Sequence, residues 1–343
     1  MSGFRRGSCA SLACAIFAAP WVGAFGAHVD PALDVYARPQ LLVRLDSGRQ
    51  MNVWCQGSGN PVVILEAGAG GSTLEWRWVH GEIAKITRVC AYDRAGMGFS
   101  NPGPLPRTAN AVVSDFVALM KAASIKPPYV MVAHSLGSYF VRLYADQHPR
   151  DVAGMVLLDP SVENQDKRFG EISPTYLDLL RKDDETAQEC LRMAQAGTLA
   201  AELPIFKECT YGYSRDPSFS DTLFQLQIKR RLSPTFRATL LSETGEMSGA
   251  DSEELAAARR SYGSMPLIVL TAGESDAYPE LTGEQTNAMN RLWFQMHEEL
   301  TALSSHGSHR RVEHSAHYIQ KDRPDVVIDA VREVVRDVRQ SAR

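Results

Sequence analysis

The sequence predicts an α/β fold, a mostly parallel twisted sheet with helices on both faces. Three observations carry that prediction. Apolar runs of strand length alternate with segments of helical period, the pattern of right-handed βαβ crossovers. Several of the runs are apolar at every position, as strands covered on both faces must be. The chain has 343 residues, 44% of them hydrophobic, enough to bury a large core without a disulfide scaffold. Its 36 Lys plus Arg stand against 40 Asp plus Glu, a net charge of −4, which excludes a basic nucleic-acid binder. Charged residues at 22% and scattered Gly and Pro exclude a disordered, collagen-like or low-complexity chain.

The elements follow in order. Residues 1–27 hold no acidic residue; Arg5 and Arg6 precede an apolar stretch from Cys9 to about Phe25, and small residues Ala24 and Gly26 sit two apart. This reads as a secretory signal peptide, with an uncleaved N-terminal membrane anchor as the alternative. No other segment has 18 consecutive apolar residues, so the mature protein is expected to be soluble or tethered at its N-terminus. Loss of residues 1–27 takes the net charge from −4 to −6 and removes Cys9 and Cys14. Cys55, Cys90, Cys190 and Cys209 remain, an even number that predicts two disulfides in an exported chain. Four cysteines allow three pairings, and spacing does not choose among them.

Val53–Gln56 reads as a short strand ending in the turn 57–61. Strands are predicted over Pro61–Glu66, Arg88–Tyr92, Tyr129–Ala133, Val152–Leu158 and Pro266–Thr271. Between them, Thr108–Ala123 has its apolar residues at helical spacing, and Gly137–Gln147 reads as a helix stopping near His148-Pro149. Arg323–Arg339 is an amphipathic helix with Pro324 in its first turn. The stretch 161–262 is charged, lacks strand signals and carries helical patches at Tyr176–Leu180 and Leu223–Arg231, so it is expected to be a helical insertion.

The chemistry centres on Ser135. The buried strand Tyr129–Ala133 runs into Ala133-His134-Ser135-Leu136-Gly137 and then a helix, the context of a nucleophile elbow of pattern G-x-S-x-G. The turn is strained and needs small residues two positions either side of the serine; Ala133 and Gly137 meet that need. The competing reading is a plain helix-capping serine.

With this motif in its strand–turn–helix setting, the chain resembles the α/β-hydrolase superfamily, in its serine-nucleophile esterase/lipase-like branch. The resemblance covers roughly residues 50–160 and 264–340. The segment Tyr92-Asp93-Arg94-Ala95-Gly96-Met97-Gly98-Phe99-Ser100 matches a loop common after the family's fourth strand, read here as shaping the sheet edge. The resemblance implies the chain order Ser, acid, His. Asp276, after the PLIVLTA strand, is the expected acid, with Glu274 and Asp159 as runners-up. Among His306, His309, His314 and His317, the expected base is His317, seven residues before Pro324, with His314 as the alternative. No Cys or carboxylate completes a zinc spacing around these histidines. Backbone N–H groups of Leu136 and Ala69 are the expected oxyanion donors; Ala67-Gly68 stand where the family has His-Gly, which leaves Gly70 as a competing donor. Thr73 breaks the G-x-G-x-x-G pattern begun by Gly68 and Gly70, and no Gly-Lys-Ser/Thr follows, so neither phosphate motif is complete.

The implied organisation is a signal peptide at 1–27, a core at 28–160 and 263–343, and a helical cap or lid at 161–262. The implied enzyme is an exported carboxylic ester hydrolase acting on a small ester-like molecule, with no cofactor, metal or nucleic acid, and with a membrane only if residues 1–27 stay attached. An elbow serine argues against haloalkane dehalogenases and epoxide hydrolases of this fold, whose elbows carry Asp. Amidase, thioesterase, lactonase and C–C bond hydrolase chemistry use the same triad, and a non-catalytic binding module of the same fold is the reading from a different class. In the resembling fold the second and fourth strands are neighbours, which implies Cys55–Cys90 and leaves Cys190–Cys209 within the insertion.

Overall fold

The computed structural model describes residues 29–210, 214–258, 261–274 and 279–341. Residues 1–27, read as a signal peptide, lie outside them, as does Asp276. Among the described residues the strands are β1 (Leu42–Arg44), β2 (Gln50–Gln56), β3 (Val62–Glu66), β4 (Val89–Tyr92), β5 (Tyr129–His134), β6 (Val152–Leu158), β7 (Leu267–Ala272) and β8 (Gly307–Val312). They form one sheet in the order β1-β2-β4-β3-β5-β6-β7-β8. β2 runs antiparallel to β1 and β4, and the remaining pairs are parallel. The expected alternation of strand and helix is therefore present, and the six predicted strands fall at β2 to β7.

Both faces of the sheet are covered. Val63, Leu65, Val132, Val156 and Leu270 point to one face and pack with the C-terminal helix. Their neighbours Val62, Ile64, Met131, Leu157 and Val269 point to the other. This two-residue alternation of equally apolar side chains explains why the strands read as continuous hydrophobic runs. On the first face lie α1 (His80–Ile83) and, after β8, the short α11 (Ile319–Asp322) and α12 (Pro324–Ser341). The second face carries α2 (Ala109–Ala122), α3 (Gly137–Gln147) and, further along, α10 (Gly283–Thr301). The α12 stripe Val327, Ala330, Val331, Val334 and Val335 is buried on the sheet. Each valine contributes roughly 1.5–3 kcal/mol as an upper estimate. That burial anchors the segment 313–318, which carries His317, over the strand ends.

Between β6 and β7 the described residues form α4 (Gln165–Ile172), α5 (Pro174–Gln195), α6 (Phe206–Cys209), α7 (Asp221–Arg231), α8 (Pro234–Met247) and α9 (Ala250–Ala258). This is the helical character expected of the insertion. Several elements arrive unannounced, among them the short β1 and α1, and two larger ones. β8 (GSHRRV) is a sheet-edge strand with little apolar content. α10 spans 19 residues and starts on a capping box of Thr282 and Gln285.

Both disulfides are present as paired, Cys55–Cys90 and Cys190–Cys209. Cys55 lies directly opposite Cys90 in the antiparallel β2–β4 ladder. The first bridge closes a separation of 35 residues. Replacing both of its cysteines by Ser is expected to lower unfolding stability by about 3–4 kcal/mol. Denaturant unfolding measures this, and an unmoved midpoint would show that the bridge contributes nothing. No helix among the described residues is long and apolar enough to cross a membrane.

Candidate active site

Ser135 directly follows β5 with φ at +51°, a left-handed conformation that L-residues rarely hold. Such strain costs of order 1–3 kcal/mol and persists only when surrounding bonds fix it. Here the Ser135 N–H donates to the Leu158 carbonyl at 3.0 Å, and the Ser161 N–H donates to the Ser135 carbonyl at 3.1 Å. The elbow is thus tied to the end of β6. Gly137 follows for a steric reason: a Cβ there would sit 2.7 Å from the carbonyl oxygens of Glu66 and Ala67. Ala133, on the other side of the elbow, is fully buried.

Asp159 follows β6 as Ser135 follows β5, also with positive φ, at +42°. Its Oδ1 accepts from the Ala272 N–H at 3.1 Å and from Trp293 Nε1–H at 3.0 Å. Its Oδ2 lies 2.7 Å from His317 Nδ1. Burial pushes the Asp159 carboxyl up, but the hydrogen bond and charge of His317, with the Trp293 N–H, outweigh it and hold the group at about 2. Asp159 is therefore a carboxylate at any working pH. Of the other two acid candidates, Asp276 lies outside the described residues, while Glu274 is exposed at the cavity edge.

The four histidines separate by place. His306 and His314 are exposed, and His309 lies on β8, with Nε2 2.6 Å from the Thr271 hydroxyl. His317 faces the cavity that also exposes Ser135. Behind Asp159, His297 donates from Nε2 to the Pro160 carbonyl at 2.9 Å and takes the Thr271 hydroxyl on Nδ1 at 2.6 Å. Burial lowers His297 to about 4, so it stays neutral and serves as a wedge under the acid loop.

A buried pair joins the three loops of the site. Glu75 accepts from the Gly68 N–H at 3.2 Å and from Gln320 Nε2 at 2.9 Å. The same carboxylate sits 2.7 Å from His134 Nδ1, and His134 Nε2 donates to the His317 carbonyl at 2.9 Å. The loop at 67–72, the elbow and the His317 loop are thereby locked together. Sequence reasoning singled out neither Glu75 nor His134. The signal lay in two ionisable residues within otherwise apolar stretches that end beside glycine-rich turns.

Ala69, Leu136, Ser135, Asp159 and His317 line one cavity of about 780 Å³. Among the described residues, neither the Ala69 nor the Leu136 N–H makes a hydrogen bond. Gly70, the competing donor, instead lies against Phe236 of α8: a Cβ there would be 3.3 Å from its ring. Phe169, Tyr176 and Met247 from the insertion, with Met289, Trp293 and Phe294 of α10, form the apolar wall. Trp76 is fully buried core, and Trp78 packs partly buried against it.

A mostly parallel sheet, a strained serine at the end of a central strand and a His–carboxylate pair on the same wall are features that a serine hydrolase requires. The profile of the alpha/beta hydrolase fold matches residues 60–199. The chain is 27% identical over 279 residues to the uncharacterized protein YqjL of Bacillus subtilis strain 168, spanning 81% of this chain and 85% of that one. Its structure matches the haloalkane dehalogenase DatA of Agrobacterium tumefaciens C58 with a TM-score of 0.63 and 17% identity, over 87% of this chain and 96% of that one. A thermophilic esterase from Thermogutta terrifontis matches with a TM-score of 0.57 and 19% identity, over 87% of this chain and 98% of that one. At these identities the structural likeness is one of fold. The described structure has the α/β-hydrolase fold, and residues 60–199 match that fold's family model.

Proposed function

We propose that the protein is an exported serine hydrolase that cleaves a carboxylic ester through an acyl-enzyme, with Ser135, His317 and Asp159 as its triad. The observation that carries this reading is the 2.7 Å contact of His317 Nδ1 with the buried Asp159 carboxylate, on the wall where Ser135 faces the cavity. A serine hydroxyl is a weak nucleophile and needs an adjacent base. His317 takes the Ser135 proton as Oγ bonds to the ester carbonyl carbon. Asp159 holds the ring in the tautomer with Nδ1–H and stabilises the imidazolium. The Ala69 and Leu136 N–H groups receive the oxyanion, each worth about 100–1000-fold in turnover by analogy with side-chain donors. His317 then gives its proton to the departing alkoxide as the C–O bond breaks. Water, deprotonated by His317, attacks the acyl carbon; the C–Oγ bond then breaks as His317 returns that proton to Oγ, releasing the acid and free Ser135.

Helices of the insertion wall the cavity, which supports their role as a cap that shapes substrate choice. The two disulfides and the apolar, acid-free segment 1–27 support export. A chain-length series of p-nitrophenyl esters, assayed beside matched amides, thioesters and lactones, tests the bond type. The esters are expected to turn over fastest, with a preference for acyl groups that fill the apolar wall. Turnover confined to amides or lactones would contradict ester specificity.

A further inference from the structure

Arg94 belongs to the 92–100 loop, assigned above to the sheet edge, yet its guanidinium is buried with 2% exposure. All five of its N–H groups are engaged. Nε and Nη2 grip both carboxylate oxygens of Glu243 at 3.0 and 2.8 Å. Nη1 donates to Glu66 Oε1 at 2.8 Å and to the Ala67 carbonyl at 2.6 Å, and Nη2 also donates to the Gly68 carbonyl at 2.8 Å. Two of these acceptors are consecutive carbonyls of the loop that holds Ala69. The Gly68 carbonyl and the Ala69 N–H belong to one planar, trans peptide group, so they point in opposite directions. Fixing that oxygen on Arg94 fixes where the Ala69 N–H points.

The other end of the grip is on the insertion, because Glu243 lies on α8. The same helix packs Phe236 and Leu240 against Met97, and Phe236 against Gly70 of the loop. A planar five-donor fork held bidentately by a carboxylate has little freedom to reorient.

We propose that Arg94 is the positioning residue of the oxyanion loop and that Glu243 sets it from the insertion, so that docking of α8 completes the oxyanion hole. The proposal rests on the reading of Ala69 N–H as an oxyanion donor. Neither side chain touches substrate; both act through the Gly68–Ala69 peptide.

The test compares wild type, Glu243→Gln and Arg94→Lys for kcat and KM on a p-nitrophenyl ester, for the rate of fluorophosphonate labelling, and for thermal midpoint. Assays run well below each midpoint. Loss of the fork is expected to lower kcat about 10–100-fold, as a sub-ångström to ångström misplacement of a donor does, with KM little changed. Labelling should slow by a similar factor, because phosphonylation places charge on the same donors. A lowered midpoint with wild-type kcat and labelling rate would mean a purely structural role and would overturn the proposal. Should Glu243→Gln not fold, Glu243→Asp keeps the ion pair one methylene shorter and carries the same expectation; wild-type kcat there overturns the proposal equally. Ser135→Ala run in parallel separates the two levels. If it still hydrolyses ester, the site reading fails and this inference with it. If it is inactive while the Glu243 variants keep full kcat, only this inference fails.

Discussion

Ser135→Ala is expected to lower ester turnover by roughly 10⁶-fold and to abolish fluorophosphonate labelling. The size follows from the division of labour in the site. Without Oγ no acyl-enzyme forms, and what remains is binding plus the oxyanion donors, worth about 10³–10⁴-fold over water. His317→Ala is expected to cost about as much, and the double variant hardly more, because nucleophile and base act as one unit. The fold should survive both changes, since the elbow is held by the Ser135 backbone bonds to Leu158 and Ser161 rather than by Oγ. His314→Ala should be near wild type, because that side chain is exposed. Steady-state kinetics with circular dichroism as a folding control decide the matter. Retained activity in Ser135→Ala would remove the serine-hydrolase reading altogether.

The second large effect is expected at the acid. Asp159→Asn should cut kcat about 10³–10⁴-fold, while Asp276→Asn should leave most of the activity. An Asn amide can turn its NH₂ toward His317 Nδ1. That favours the tautomer bearing a proton on Nε2, where it cannot accept one from Ser135. The charge is lost as well, so the imidazolium of the transition state is less stabilised. The Asp159 carboxyl is held at about 2, below its ordinary 3.8. A depressed carboxylate stabilises the fold above its ordinary value, and that stability is lost as pH falls through about 2. Asp159 thus stays ionised wherever the enzyme works. A severe Asp276→Asn beside a mild Asp159→Asn would move the acid to Asp276 and leave Asp159 a structural group.

Much of this was legible in the chain. The elbow could be read because a continuous apolar run, a serine flanked by small residues and a helical period adjoin in sequence. The loop at 67–72 and the Cys55–Cys90 bridge followed once strand order was implied. The candidate acid was harder. Asp159 looks like a strand terminator, and only the β5–β6–β7 adjacency brings its carboxylate to His317. β8 was missed because an edge strand buries little, so Gly-Ser-His-Arg-Arg-Val carries no hydrophobic alternation. α10 was passed over although its Thr-x-x-Gln start is a capping signal.

The sequence by itself determined the fold class, the candidate nucleophile and base, and the helical character of the insertion. Each depends on contacts between near neighbours in the chain, which leave a periodic or local trace. Only the tertiary structure showed that the Asp159 carboxylate meets His317, how Glu75 and His134 lock three loops, and that Arg94 spans from the insertion to the 67–72 loop. The contacts His134–Glu75, Arg94–Glu243, Asp159–His317 and His134–His317 join residues 59 to 183 positions apart. Buried charges must find partners wherever the fold places them. That requirement writes no period into the sequence.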